Sequence, residues 1–145
     1  MKLDVQLVGD QVHLTMEPND DRDMEVFGRY FPQAEVAGSQ NLSTITLEIV
    51  RISIGRTEFQ RRLKPLGLVE SGRAGALRVT STGTADAKYR CMRLDPRRDP
   101  TECQNLTAND PREAVLACEL LAASNNWYGG RTEEGACGRA LPSGA

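Results

Sequence analysis

The sequence is poor in aromatic residues and in the side chains that most often carry catalysis. Its 145 residues include three Phe, three Tyr, one Trp and one His. A core must therefore be built from Val, Ile, Leu and Ala, and such a core loses stability quickly when methyl groups are deleted. No segment approaches the roughly 18 apolar residues of a membrane span, and the first residues do not resemble an apolar targeting segment. We expect a cytoplasmic protein.

Sequence motifs for catalysis are also missing. There is no P-loop, H-E-x-x-H pair, nucleophile elbow or dinucleotide-binding G-x-G-x-x-G. The single histidine, His13, is expected to be a solvated residue of a strand. We therefore predict no catalytic residue and no cofactor, and favour a non-catalytic protein. The alternative left open is a small enzyme whose site only the fold assembles, for instance from Glu48, Glu58 and Glu70.

The four cysteines lack the short spacing of a zinc knuckle. Successive cysteines have 11, 14 and 18 residues between them, with no C-x-x-C pair. In the reducing compartment expected above, free thiols are commoner than disulfides. We predict four free thiols rather than disulfides or a metal site, at Cys91, Cys103, Cys118 and Cys137.

The clearest structural pattern is an N-terminal β-hairpin from Lys2 to Glu17 that turns at Gly9-Asp10. Gly9 supplies the positive φ that a two-residue hairpin turn needs. This register gives one apolar and one polar face, and a slip by one residue would spoil both. The predicted apolar pairs are Leu3 with Met16, Val5 with Leu14, and Leu7 with Val12; the polar pairs are Lys2 with Glu17, Asp4 with Thr15, and Gln6 with His13.

Three helices are predicted from capping patterns. The first begins after Asn19 or Asp20 and ends before Pro32. The second is short, with a capping box from Thr57 to Gln60. The last begins at Asp110, with Pro111 in its first position and an apolar stripe that includes Cys118, and it ends at Asn125-Asn126.

Residues 44–54 are ambiguous between strand and helix. Their many β-branched residues favour a long strand with a bulge near Ile49-Val50, although Ile45, Ile49 and Ile52 also have helical spacing. Further strands are predicted over residues 76–81 and 87–94, with a short one possible near 35–37, and residues 95–109 are predicted as a loop. The order predicts an α+β fold: a mainly antiparallel sheet, opened by the hairpin, with about three helices on one face. We predict one domain over residues 1–128 and a Gly-rich, loosely held tail over 129–145.

Charge is segregated along the chain. Residues 1–50 carry three Lys/Arg and nine Asp/Glu, residues 51–98 carry twelve and four, and residues 99–145 carry three and seven. A basic middle segment is typical of polyanion binding, but the acidic ends could also fold against it and cancel its field. The candidate nucleic-acid-binding residues are Arg56, Arg61, Arg62, Lys64, Arg90, Arg93, Arg97 and Arg98.

Residues 46–83 also resemble a winged helix-turn-helix. Ser53-Ile54-Gly55 would be the turn, residues 56–64 the recognition helix, and residues 67–70 and 76–81 the wing strands. The resemblance implies that Arg56, Thr57, Gln60 and Arg61 face a DNA groove. It requires residues 46–52 to be helical.

We therefore expect a binding protein that contacts nucleic acid or nucleoprotein through residues 51–98. The alternative is a protein–protein interaction module, such as an assembly or inhibitor subunit. Its contacts would be the acidic helix or the Trp127-Tyr128 region, although packing on the core is the favoured role for that aromatic pair. The sequence does not indicate an oligomeric state.

Overall fold

The computed structural model describes residues 1–73 and 75–138, which form an α+β fold of three helices and nine strands. The predicted fold class is confirmed, and all strand pairs are antiparallel. The strands form three sheets, of order β1-β2-β4-β3, β5-β6 and β8-β7-β9. The elements are β1 Lys2–Val8, β2 Gln11–Glu17, α1 Asp21–Tyr30, β3 Glu35–Leu42, β4 Ile45–Gly55, α2 Arg56–Leu63, a 3-10 turn Lys64–Leu66, β5 Leu68–Glu70, β6 Val79–Ser81, β7 Tyr89–Leu94, β8 Pro100–Leu106, α3 Pro111–Ser124 and β9 Gly129–Glu134.

The N-terminal hairpin has the predicted register at every pair, from Lys2 opposite Glu17 to Val8 opposite Gln11. Gly9 has φ of 65°, as expected for the first turn position. The apolar face of β1 and β2 is buried, and β4 continues this face with Val50, Ile52 and Ile54. These strands supply one wall of the core, and α3 packs against β1 and α1.

Residues 45–55 form a strand, so the strand prediction for this segment is correct and the helical alternative is wrong. The predicted irregularity lies on the neighbouring strand: the β3–β4 register shifts between Val36 and Gly38, opposite Ile49 and Val50. Because residues 46–52 are not helical, the first helix of a helix-turn-helix does not exist here. The helix predicted over residues 56–64 is present as α2, and the β5–β6 pair matches the wing strands.

The helix caps follow the sequence at two of three helices. Asp20 caps α1 by accepting from Asp23 N, and Asp110 caps α3 by accepting from Arg112 N and Glu113 N. The predicted Thr57–Gln60 capping box is wrong, because the N-cap of α2 is Gly55, two residues before Thr57, with no side-chain cap. Gln60 instead donates from Nε2 to Glu70 Oε2 at 2.7 Å.

The C-terminal third departs furthest from expectation. The predicted loop over 95–109 contains β8, and the predicted loose tail begins with β9, which pairs along β7. The boundary at residue 128 is therefore not an end of the ordered fold, while residues 139–145 of the predicted tail lie outside the described residues. Glycine allows β9 to approach α3, since a Cβ on Gly130 would lie 3.0 Å from Cys118 Sγ.

The prediction of four free thiols is wrong, since the structure contains two disulfides. Cys91–Cys118 joins β7 to α3, and Cys103–Cys137 joins β8 to the segment after β9. Sequence spacing missed both pairs because each links elements 27 or 34 residues apart. Both bridges fasten the C-terminal sheet, one to the helix that covers it and one to the end of β9. None of the helices in the described residues has the length and apolar character that a membrane crossing requires.

The two disulfides should differ in their rate of reduction. Cys91 and Cys118 are 0% and 1% exposed, whereas Cys103 and Cys137 are only partly buried. Thiol–disulfide exchange needs access of a thiolate to sulfur. We expect dithiothreitol in native buffer to reduce Cys103–Cys137 first and Cys91–Cys118 only when the chain unfolds. Timed alkylation and peptide mass mapping would follow both pairs, and simultaneous loss in native buffer would contradict the expected order.

One buried carboxyl should make stability depend on pH. Burial raises the pKa of Glu119, on α3, to about 7, with a smaller increase from nearby Asp23 opposed by the Met1 α-ammonium. When folding raises the pKa of a carboxyl, the free energy of unfolding is higher at low pH, where the group is protonated in both states. For Glu119 this contribution is complete below its usual pKa of 4.5 and is lost as the pH rises from about 4.5 to 7.

We therefore expect Glu119→Gln to stabilise the protein at pH 8 by up to about 3 kcal/mol, and to have little effect at pH 4. Urea unfolding at the two pH values measures the difference. Glu48→Gln, at an exposed position of β4, is the matched control. Equal effects of Glu119→Gln at both pH values would contradict this account.

Candidate functional site

The eight predicted nucleic-acid-binding residues do not form one free basic surface. Five of them form ion pairs with carboxylates of the same chain. Lys64, Arg97 and Arg98 are exposed and have no ion pair within the described part of the chain. The five pairs are Arg56–Glu70, Arg61–Glu58 at 3.1 Å, Arg62–Glu58 at 2.8 Å, Arg90–Glu133 at 2.8 Å and Arg93–Glu102 at 3.2 Å.

Two of these pairs agree with the alternative that the acidic ends fold against the basic middle, because they join it to the acidic C-terminal segment. None of the five pairs involves the acidic N-terminal segment. Glu58 and Glu70 belong to the basic segment itself, while Glu102 and Glu133 come from strands beside β7. Hydrogen bonds from Arg62, and then Arg61, hold the pKa of Glu58 below its usual value. The positive electrostatic potential expected from the sequence is therefore reduced by these carboxylates at five of the eight predicted contact residues.

Arg56 is a positioning residue for the segment between β5 and β6. Its Nη2 donates to the carbonyls of Arg73 at 3.2 Å and Ala76 at 2.6 Å, as well as to Glu70. Glu70 also accepts from Gly72 N at 2.9 Å. Burial pushes the pKa of Glu70 upward, but its hydrogen bonds, first from Arg56 and then Gln60, leave it below the usual value. The ion pair thus holds the 71–78 segment in place.

That segment forms one wall of a cleft with a volume of about 920 Å³. The opposite wall is β1, and the floor is the end of α3 with parts of β7 and β8. The volume is within the range of ligand-binding clefts. The lining residues include Val5, Gln6 and Leu7 of β1; Leu77, Arg78, Val79 and Thr80 on the facing wall; and Arg93, Glu102, Gln104, Ser124, Asn125 and Trp127 at the floor.

The outer edge of β6 is capped by two side-chain amides. Asn125, at the C-terminal end of α3, accepts from Val79 N at 3.3 Å and donates to Val79 O at 2.8 Å, as a neighbouring strand would. Its Nδ2 also donates to Leu121 O at 2.8 Å. Gln104 Oε1 accepts from Ser81 N at 2.9 Å. The β6 wall therefore offers few free backbone groups to a ligand.

The outer edge of β1 is open. A two-residue turn closes on a hydrogen bond between its flanking residues, here Val8 and Gln11. Pairs alternate along an antiparallel ladder, so Leu3, Val5 and Leu7 direct their backbone N–H and C=O groups away from β2. β1 pairs with no strand other than β2 among the described residues. Val5 and Leu7 also line the cleft, so their unpaired groups face it.

The floor contains an unsatisfied hydroxyl and an aromatic side chain. Ser124 is 4% exposed, and its Oγ has no hydrogen-bond partner among the described residues. Trp127 is partly buried against the core, and the Arg93 guanidinium lies 5.6 Å from its ring centroid. Tyr128, by contrast, is 59% exposed. The predicted packing of the aromatic pair therefore holds for Trp127, which also lines the cleft, and not for Tyr128.

The outer face of the first sheet carries the single histidine of the chain. His13 is exposed there, between Gln6 on β1 and Ser53 on β4. No hydrogen bond of the His13 side chain occurs in the described residues, and no group of three His, Cys, Asp or Glu in them could hold a metal ion. Sequence reasoning missed the cleft itself, because its lining residues come from five separate parts of the chain. The Asn125-Asn126 helix end and Trp127 were the only signals for it.

Comparison with protein-family models, with curated proteins and with solved structures found no match to this chain.

The amide of Asn125 should contribute strongly to stability. In Asn125→Asp the second oxygen would face the carbonyls of Val79 and Leu121 in place of a donor. We expect a loss of about 2–3 kcal/mol at pH 7, typical of unsatisfied polar groups with partial burial. The adjacent Asn126→Asp is the matched control, because Asn126 is exposed and its φ of 56° is one that Asp also tolerates. Equal losses in urea unfolding would contradict the role of the Asn125 amide.

Proposed function

We propose that this chain is a non-catalytic protein–protein interaction module that holds an extended peptide segment in the cleft, paired with the open edge of β1. The observation that carries the proposal is the contrast between the two cleft walls. The β6 edge is capped by Asn125 and Gln104, while Val5 and Leu7 face the cleft with unpaired backbone groups. Addition of a strand to an exposed sheet edge is a common mode of peptide recognition.

The composition of the cleft supports a peptide ligand. Its amide side chains, Gln6, Gln104 and Asn126, can bind the main chain or polar side chains of an extended segment. Leu7, Leu77 and Trp127 provide apolar contacts of the kind that anchor alternate side chains of an added strand. Each backbone hydrogen bond to β1 would contribute about 0.5–1.5 kcal/mol, so affinity would depend on these side-chain contacts as well.

The test uses a library of random 12-residue peptides displayed on phage and selected on the immobilised protein. We expect enrichment of peptides that then slow amide hydrogen exchange at Val5 and Leu7. The backbone N–H of Gln6 points toward β2, so its exchange rate is the internal reference and should not change. Leu7→Pro removes one outward N–H without breaking the β1–β2 ladder. We expect it to weaken the selected peptides at least about 2- to 12-fold, the equivalent of one hydrogen bond, with a further loss from the missing contact of the Leu7 side chain.

Ser39→Pro is the matched control. By the same alternation from the Leu42–Ile45 turn pair, Ser39 on β3 directs its N–H to the other edge of the sheet, outside the cleft. The proposal fails if no peptide is enriched on the folded protein, or if Ser39→Pro weakens the selected peptides as much as Leu7→Pro does.

Nucleic-acid binding is the second candidate, and it rests on Lys64, Arg97 and Arg98, the three predicted contact residues that form no ion pair within the described part of the chain. Arg97 and Arg98 lie on the β7–β8 turn, where Asp95 Oδ1 accepts from Arg97 N at 2.9 Å and Asp99 N at 3.1 Å. This turn presents both arginines to solvent. Nucleic-acid binding would be supported if the protein is retained on single-stranded DNA in a salt-sensitive way and the double variant Arg97→Glu/Arg98→Glu is not.

The compartment is also a matter of proposal. The prediction of free thiols followed from the expected cytoplasmic location, and the two disulfides argue against that location. Disulfides form and persist mainly in oxidising compartments. We propose that the chain matures in such a compartment.

A further inference from the structure

We propose that the segment held in the cleft is the β3–β4 arm of a second copy of this chain. The arm is defined as residues 35–49, which comprise β3, its turn and the first half of β4. The inference rests on the proposed function, because it requires that the β1 edge accept an extended strand. It adds the identity of the occupant, and it implies assembly of copies in a row.

The arm lies beyond the rest of its sheet. β2 pairs with β4 only as far as Val50, so Ile45–Ile49 of β4 pair with β3 alone. Val36 and Ile45 are 59% and 50% exposed, which places them among the most exposed large apolar side chains described. A side-chain bond from Gln40 Nε2 to Pro18 O ties the arm to the body.

The outer edge of β3 lacks the lysine and proline residues that protect many edge strands, and its register shift between Val36 and Gly38 precedes Ser39 and Asn41. Natural edge strands carry Lys, Pro or inward-pointing charges that block edge-to-edge contact. Residues 35–42 contain no Lys, Arg or Pro, and β3 pairs only with β4 among the described residues. Ser39 and Asn41 direct their backbone groups outward, by the alternation set at the Leu42–Ile45 pair. The arm therefore offers unpaired donors and acceptors of the kind that the β1 edge needs.

The charges of the arm and the cleft are complementary. The only charged residues of the arm are Glu35 and Glu48. In the cleft, Arg93 and Glu102 offset each other at 3.2 Å. Arg78 is then left as an exposed lining cation with no ion pair among the described residues. An acidic arm thus meets a cleft with one excess positive charge, which favours this pairing over contact between two arms.

The two surfaces lie at opposite edges of one sheet, of order β1-β2-β4-β3. Contact between them is heterologous, so each copy uses its arm on one neighbour and its cleft on another. Such contacts generate open rows, or rings if the rotation closes, and not a two-fold dimer. The average mass should therefore rise with protein concentration from the monomer value of 15.9 kDa.

The test combines a cleft-blocked copy, Leu7→Pro, with an arm-blocked copy, Ser39→Pro. We expect each variant alone to remain monomeric by light scattering at concentrations where the unmodified chain assembles. Their mixture should form a 1:1 dimer and nothing larger, because only one working arm and one working cleft remain. Native mass spectrometry with one variant isotope-labelled identifies the mixed dimer.

Two substitutions at exposed or half-buried positions repeat the test with less risk to folding. Leu77→Glu places an acidic group in the cleft and Val36→Lys a basic group on the arm, and circular dichroism checks the fold of all four variants. Val69→Glu, at an exposed position of β5 outside the cleft-lining residues, is the control and should assemble normally.

The inference is overturned if the unmodified chain stays monomeric up to millimolar concentration, or if the blocked variants fail to complement each other while folded. Enrichment of peptides on the cleft together with a monomeric chain would leave the proposed function intact and reject only the second copy as occupant. Absence of both peptide binding and assembly would reject the proposed function itself.

Discussion

The side chain of Asn125 fixes the geometry on which the cleft depends. It occupies the position of a strand beside β6, with hydrogen bonds to both backbone groups of Val79, and it also bonds to Leu121 at the end of α3. One planar amide therefore joins the β5–β6 pair to the helix that packs on the first sheet. An amide can do this because it has both donors and acceptors, which a carboxylate at pH 7 has not. Its placement separates β6 from β1 and leaves the intervening space open.

A second polar group holds the outer wall of that space. The buried part of the Arg56–Glu70 pair faces the 71–78 segment and bonds its backbone at three points. Gly72 is required there, because a Cβ would lie 2.5 Å from Ala76 O. Exposed ion pairs contribute little to stability, but this pair also satisfies backbone groups of Gly72, Arg73 and Ala76, which lie between β5 and β6. Its value is in positioning, which explains why a basic residue expected at a nucleic-acid surface is directed inward.

The sequence was sufficient to predict those elements whose signals are local. The β1–β2 register followed from alternating side chains and Gly9, and α3 followed from Asp110 and Pro111. β8 was missed because its residues are polar and mostly exposed, with Leu106 the only buried one, so no apolar alternation marks it. β9 was missed because its glycines are typical of loops, whereas here Gly130 permits contact with Cys118. The disulfides and the cleft depend on contacts between distant segments, which spacing along the chain does not encode.

The floor of the cleft contains a group that folding alone does not explain. Ser124 is buried without a hydrogen-bond partner among the described residues, and a hydroxyl in that condition costs about 1–3 kcal/mol. Alanine would fit the last turn of α3 with better helix propensity and no desolvation cost. Local choices that oppose stability are expected at functional sites, where the cost is offset elsewhere in the fold. Ser124 is one of the residues that line the cleft, as Val5 and Leu7 of β1 are, so the fold bears this cost at the site where we propose that a strand binds.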